Sequence, residues 1–363
     1  MATDFPLNHA LAVQRWSTFL ATEAEKKQYF IKFMGTGEDA MIKVQKELSK
    51  QAGEKITVGL RMKLSGDGVE GDDEIEGTTA EEGINFFADS LFIDQRRKGT
   101  KSKGKMSEQR VPYNLRKIGH EALSTWFAED FDEQLMMYLA GARGVNPDFH
   151  VPTTFAGRAN NPLQGPDVNH HIYGGDATSV DDMDADDKMH LSIAEKLVAL
   201  AETRDPMMLP FMIEGEKKFV LLMHTWQAYD LRTSTSQNDW LEIQKAVGPR
   251  ERQNIVYRNA LGEYAGIILH KHRNVIRFDD WGAGDTVKGA RALFLAAQAG
   301  MIAFGAGGST NRYSWNEETD DRGNALVITA GCIYGTKKSV YNAEAFGVVA
   351  VDTACTDPNY TGP

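Results

Sequence analysis

Residues Leu115–Ala140, LRKIGHEALSTWFAEDFDEQLMMYLA, set the reading of the whole chain. Leu115, Ile118, Ala122, Trp126, Phe127, Phe131, Leu135 and Leu139 recur by threes and fours, a spacing that gathers side chains along one stripe of an α-helix. Asn114 is placed to accept from the backbone N–H groups that a helix start leaves unpaired, and Gly141 and Gly144 end the pattern. Twenty-six residues at about 1.5 Å each make a rod of about 39 Å, longer than most globular helices. Such a rod predicts a spine on which other elements are mounted.

Upstream of the rod the period changes from helical to two. Ile56, Val58, Leu60, Met62 and Leu64 alternate with Lys55, Thr57, Arg61 and Lys63, which predicts a strand with one apolar face. It runs into the glycine-punctuated turn Ser65-Gly-Asp-Gly-Val-Glu-Gly-Asp-Asp73, and a second extended stretch returns over residues 89–97. The excursion holds two tracts of opposite charge. One carries Asp67, Glu70, Asp72, Asp73, Glu74 and Glu76; the other carries Arg96, Arg97, Lys98, Lys101, Lys103 and Lys105. Farther upstream, residues 24–33 and 39–50 have helix-forming composition and predict a helical N-terminal arm, broken at Gly35-Thr-Gly37.

Downstream of the rod, residues 145–188 are rich in Asn, Pro, Gly and Asp and predict a long irregular insertion. A helix over 192–204 is expected to open on the capping box Ser192-Ile-Ala-Glu195. Strands are expected over 218–225, 264–270, 326–334 and 346–352, and a helix over 238–247. The run ARALFLAAQAGMIAFGAG over 290–307 approaches the length of a membrane span, but it contains Arg291 and Gln298 and reads as a buried Ala-rich helix. Strands and helices do not alternate regularly, so the expected class is α+β.

Length and composition bound the function. The chain's 363 residues suit two lobes or one lobe with extensions, and 25% charged with 42% hydrophobic residues fit a globular protein. A net charge of -11 runs against gripping phosphates, yet an acidic wall would let enclosed DNA slide. Cys332 and Cys355 are the two cysteines, so no disulfide framework is expected, and the start Met1-Ala-Thr-Asp-Phe-Pro6 does not read as a secretory signal.

Catalytic patterns are incomplete. Gly305-Ala-Gly-Gly-Ser-Thr310 lacks the phosphate-loop Lys, and Thr310 stands where a dinucleotide fingerprint needs Gly; Val287 spoils Gly282-Ala-Gly284 in the same way. Asp181, Asp182, Asp184, Asp186 and Asp187 lack the glycine and terminal Glu of a calcium loop, and read as a solvated acidic loop before a helix. His170-His171 and His270-Lys-His272 miss the i,i+4 spacing of a zinc helix. No catalytic, cofactor or metal residue is therefore assigned. Two rival readings remain: a metal-dependent hydrolase built on the Asp181 run with His170 and His171, and a nucleic-acid-binding module on the basic tract, which has no interleaved aromatics to stack bases.

Several segments carry a family likeness: Glu76-Gly-Thr-Thr-Ala-Glu-Glu82, Ile93-Asp-Gln-Arg-Arg-Lys98, Gln109-Arg-Val-Pro-Tyr-Asn-Leu-Arg116, Trp126-Phe-Ala-Glu-Asp-Phe-Asp132, Tyr229-Asp-Leu-Arg232, Asn259-Ala-Leu-Gly-Glu-Tyr-Ala-Gly266 and Gly289-Ala-Arg-Ala-Leu-Phe-Leu295. Together they resemble the tailed-phage major capsid proteins typified by coliphage N-four, across about three quarters of the chain. The resemblance implies the Hong Kong 97-like coat fold, with an N-terminal arm (1–53), an extended loop (54–114), a peripheral domain with spine helix and insertion (115–205), an axial domain (206–300) and returning strands (301–363). It implies a structural, non-enzymatic subunit of the virion, assembled in the host cytoplasm as hexamers and pentamers around double-stranded DNA. No cofactor and no membrane are implied; the implied partners are further copies of itself with portal, scaffold and cement proteins, the scaffold as a separate chain. On charge alone, Arg96, Arg97, Lys98, Lys101, Lys103 and Lys105 are expected to meet carboxylates of a neighbouring subunit, with Asp67, Glu70, Asp72 and Asp73 as candidates. The alternative is a hairpin that neutralises itself.

Overall fold

The computed structural model describes residues 20, 22–45, 53–64, 67–72, 74–77, 80–110, 114–204, 207–213, 215–235, 240, 243, 255–305 and 313–358. The spine is an α-helix over Leu115–Ala140, as the periodicity predicts. The Asn114 side chain accepts from the Lys117 N–H, and Gly141, at φ 70, adopts the left-handed conformation and donates to the Met137 carbonyl. From Asp130 onward the helix is buried on every side. Its N-terminal half departs from the expected stripe. Leu123 and Phe127 are buried, whereas Ile118 and Ala122, expected to face the core, are exposed.

The spine packs on two sheets. The first has six strands: β1 (Met34–Gly35), β2 (Ile42–Gln45), β5 (Asp94–Lys101), β15 (Gly300–Phe304), β16 (Tyr313–Asp320) and β17 (Ala325–Lys338). Long β17 is the hub, pairing with β15 and β16 along one side and with β5 along the other. The excursion before β5 is a hairpin of β3 (Lys55–Arg61) and β4 (Phe86–Phe92), paired from Lys55↔Phe92 to Arg61↔Phe86. Short ladders join β6 (Gly157–Arg158) to β7 (Asn161–Pro162), and β18 (Val340–Tyr341) to β19 (Glu344–Ala345).

The second sheet has eight strands. Its main path runs through β11 (Ala260–Tyr264), β12 (Ile267–Lys271), β10 (Glu216–Met223), β14 (Val287–Leu295), β20 (Val348–Ala354) and β8 (His171–Tyr173). To this path β9 (Phe211–Ile213) and β13 (Arg277–Trp281) are added. Val220, Leu222, Leu293 and Leu295 face the spine's core, while Phe219, Leu221, Ala292 and Phe294 face a second core under the helices Leu191–Thr203 and Thr225–Ser234. The helices thus cover the sheet on both faces, which gives the α+β chain two connected layers of core.

Five expectations are corrected by this arrangement. Residues 290–305, the described part of the run over 290–307, do not form a helix. They supply most of β14, a turn with Gln298 at φ 54, and β15. Both strands are buried on both faces, so their sequence lost the alternation that marks a half-exposed strand. The stretch 39–50 is not helical where described, because Ile42–Gln45 pairs in parallel with β15. Among the described residues the arm is helical through residue 27 and then forms a 3-10 turn over Phe30–Phe33. The helix expected at 192 starts one residue earlier, with His190 as N-cap and no side-chain cap, so Ser192 makes no capping box. The strand expected over 264–270 is a hairpin turning at Ala265 (φ 49) and Gly266 (φ 80). In the helix expected over 238–247, Trp240 and Ile243 are helical and buried; the others lie outside the described residues. No helix among the described residues is long and apolar enough to cross a membrane.

Candidate assembly interface

The base of the hairpin is fixed to its own subunit. Ile56 and Leu91 pack with Met301 and Ala303, and Lys337 pairs with Asp89, whose other oxygen accepts from the Val340 N–H at 3.2 Å. Leu60, Met62 and Phe87 line a cleft of about 120 Å³ with Met207, Met208 and Phe346. Past that cleft the apolar side chains stand exposed. Leu64, Ile75, Ile84 and Phe86 are each more than half exposed.

The basic tract lies on β5 and beyond it, where the two faces of the strand divide it. Arg96 pairs with Asp130 of the spine at 2.5 Å, and its guanidinium sits 5.2 Å from the centre of the Trp126 ring. Burial pushes the Asp130 carboxyl up, against the opposing pull of Arg96 and of the Tyr334 hydroxyl, which donates to it at 2.6 Å. Lys98 lies 5.5 Å from the same Trp126 ring. Arg97 turns to the other face, over the space left by the missing side chain of Gly331. Lys101 pairs with Asp320, and the Lys105 N–H donates to Asn324 at 3.3 Å. Lys103 and the Lys105 ammonium form no ion pair among the described residues. Arg96 and Lys101 therefore meet carboxylates of their own subunit.

The acidic tract sits at the far tip of the hairpin. Asp67, Glu70 and Asp72 are exposed there, Asp67 accepting from the Gly68 N–H, while Asp73 lies outside the described residues. The single residue Ile93 separates β4 from β5, and both strands follow the line from β18 along β17. Phe86 and Lys101 thus lie at opposite ends of a strand path of about 50 Å, at about 3.3 Å per residue. This geometry sets the hairpin tip far from the basic tract of the same chain.

The arm is clipped to the spine. Asp132 accepts from the Tyr29 and Phe30 N–H groups at 2.7 and 3.1 Å, although burial pushes its carboxyl up to about 7. Lys32 donates to the His270 ring at 3.3 Å; burial holds this lysine down at about 8 and the imidazole down at about 3.

The groups behind the hydrolase reading have other partners. Asp187 accepts from the Asp184 N–H at 2.8 Å, Asp182 from the Thr178 N–H at 3.0 Å, and Asp184 from the Asp186 N–H at 2.8 Å. His170 is paired with Asp167 and His171 with Asp352, each at 2.7 Å. No group of three such side chains among the described residues is arranged to hold a metal ion. Beyond Gly305, the glycine-rich run lies outside the described residues up to 312.

Known proteins share both the sequence and this architecture. The family described as phage capsid protein matches residues 4–356. A major capsid protein of Pseudomonas phage KPP25 is 27% identical over 93% of this chain and 94% of its own length. The capsid of Ralstonia phage GP4 superposes with a TM-score of 0.87 at 40% identity, covering 99% of this chain and 100% of that one. The capsid subunit of cyanophage Pam1 shares the fold at a TM-score of 0.71 and 20% identity, over 92% and 93% of the two chains. The fold is the Hong Kong 97-like fold of phage capsids, and the chain belongs to the phage capsid protein family.

Proposed function

We propose that this chain is the major capsid protein of a tailed phage of the N-four type, assembling as hexamers and pentamers into a closed head around double-stranded DNA. The hairpin is the observation that carries the reading. Its base is packed and ion-paired, yet its tip exposes Leu64, Ile75, Ile84 and Phe86, a concentration of apolar surface that a finished monomer does not leave in water. A second copy completes it. The spine with the six-stranded sheet serves as the peripheral domain, and the eight-stranded sheet with its two helices as the axial domain. Strand β8 and the helix Leu191–Thr203 pack with the eight-stranded sheet, and on this reading go with the axial domain. Portal, scaffold and cement proteins are the further partners of this reading, and the site of action is the virion, after assembly in the host cytoplasm.

Electron microscopy and sedimentation of the concentrated full-length protein test this directly. Shells, tubes or capsomer rings are expected. A monodisperse monomer at every concentration and salt would count against it.

A further inference from the structure

We propose that His224, His270 and His272 form an acid-sensitive latch between the N-terminal arm and the eight-stranded sheet, which opens when three hydrogen-bond acceptors are turned into donors. The inference concerns the subunit itself and does not depend on the shell reading.

The latch lies where the ends of β10 and β12 meet the arm. His270 is on β12, His272 follows it and donates its backbone N–H to the Met223 carbonyl at 3.0 Å, and His224 comes directly after Met223. The Tyr29 ring of the arm is 4.6 Å from the ring of His272, and the Phe33 ring is 5.5 Å from that of His270. Each imidazole has its tautomer fixed by a partner that can play only one role. The Val256 carbonyl, at 2.9 Å, can only accept, so Nε2 of His270 carries the proton and Nδ1 accepts from the Lys32 ammonium at 3.3 Å. Backbone N–H groups can only donate. Nδ1 of His272 therefore accepts from Asn274 at 3.1 Å, and Nδ1 of His224 from Trp226 at 3.2 Å, which caps the helix Thr225–Ser234. A second proton on any of the three must go to the nitrogen that is already accepting. It would set N–H against N–H, and at His270 a cation against the Lys32 ammonium.

The surrounding charges oppose that proton. Lys32 on the arm acts on His270 and His272, Arg273 acts on His272, and Arg277 with His272 itself acts on His224. Arg273 is paired with exposed Asp148, and Asp132 of the spine, with Glu133 beside it, faces Lys32. Burial first, and then these cations, hold His270 down at about 3 and His224 and His272 down at about 4. Histidine in an unfolded chain titrates near about 6.5, so the stabilisation is fully present above that pH and is lost as the pH falls toward the folded-state values. Lys32, held at about 8, stays charged across this window. Asp132 works the other way, because burial pushes its carboxyl up to about 7 and acid relieves the cost of its ionised form. Three imidazoles outweigh one carboxylate, and the arm loosens with acid.

Amide hydrogen exchange of the unassembled full-length subunit at about pH 7.5 and about pH 5, corrected for the intrinsic rate, tests the latch. The Tyr29 and Phe30 amides, which Asp132 binds in the closed arm, are expected to lose protection roughly tenfold or more at the lower pH while β14 keeps its own. The triple variant His224→Asn/His272→Asn/His270→Gln retains hydrogen-bonding side chains that do not titrate, and is expected to abolish that loss. Arm protection in the wild-type subunit that is unchanged by acid would overturn the latch, as would a triple variant that melts like the wild type at neutral pH and still loses protection in acid. Imidazole nitrogen shifts of the wild-type subunit supply a reading that needs no variant. All three rings are expected to be neutral, with the proton on Nε2, at about pH 6. An imidazolium at any of them while the arm amides stay protected would overturn the proposal.

Discussion

Replacing Asp352 by Ala is expected to lower the stability of the unassembled subunit by about 3–5 kcal/mol, the cost of leaving a buried charge without its partner. Asp352 is fully buried on β20, where Arg291 of β14 binds both its oxygens at 2.7 Å and the His171 ring bonds one of them at 2.7 Å. Arg291 also donates to the carbonyl of Ala140 at 3.1 Å, satisfying a free acceptor at the C-terminal end of the spine. Losing the carboxylate would therefore strand a guanidinium between the two layers and loosen the spine from its second sheet. The double variant Asp352→Leu/Arg291→Met removes both charges and is expected to recover most of the loss. Urea denaturation of the subunit decides the matter: a loss below about 1 kcal/mol in Asp352→Ala would mean that the pair does not hold the layers together.

The same pair sets an acid limit. Burial pushes the Asp352 carboxyl up, but the charge and hydrogen bonds of Arg291, with those of His171, more than offset this and leave it below the usual aspartate range. An aspartate in an unfolded chain titrates near about 3.9. Its stabilisation is thus fully present above about pH 4 and is lost as the pH falls through the lower folded-state value.

Phe131→Ala is the second large effect, expected to destabilise the subunit by about 3–5 kcal/mol. Phe131 lies on the inner face of the spine, with its ring 4.2 Å from Tyr334, 5.9 Å from Phe304 and 6.4 Å from Tyr313. Those rings belong to β17, β15 and β16, so one side chain ties the spine to three strands of the first sheet. Ile118→Ala, two-fifths exposed on the same helix, is expected to change subunit stability by no more than about 0.5 kcal/mol. Thermal melts of the two variants separate the roles. Equal effects would show that Ile118 is core.

The parts of the fold that showed in the sequence were those with one wet face or a clear end. The strand β3 alternates because one of its faces is open, and the spine announces itself through Asn114, Gly141 and its period. The run over 290–307 concealed two strands because Ala292 and Phe294 are as deeply buried as Leu293 and Leu295, leaving no period to read. Strand β2 was hidden for another reason. Its partner β15 lies some 260 residues away, and local composition says nothing about so distant a pairing.

The candidate contact residues were visible as charge but not as geometry. In Asp94-Gln-Arg-Arg-Lys-Gly-Thr-Lys101, a period of two already sends Arg96 and Lys98 to one face and Arg97 to the other. Only the packing of β5 on the spine brings Asp130 and Trp126 to the first face and so divides the tract. Ile118 was counted with the buried stripe because its spacing fits. Its exposure reflects the absence of any element over that turn among the described residues.

A cryo-electron microscopy reconstruction of the assembled particle tests most directly whether this subunit is completed by its neighbours. The expected result is a closed shell in which residues 62–85 of each subunit cross the boundary and rest on the next copy, burying Ile84 and Phe86. A particle in which every hairpin tip folds back onto its own subunit would contradict it.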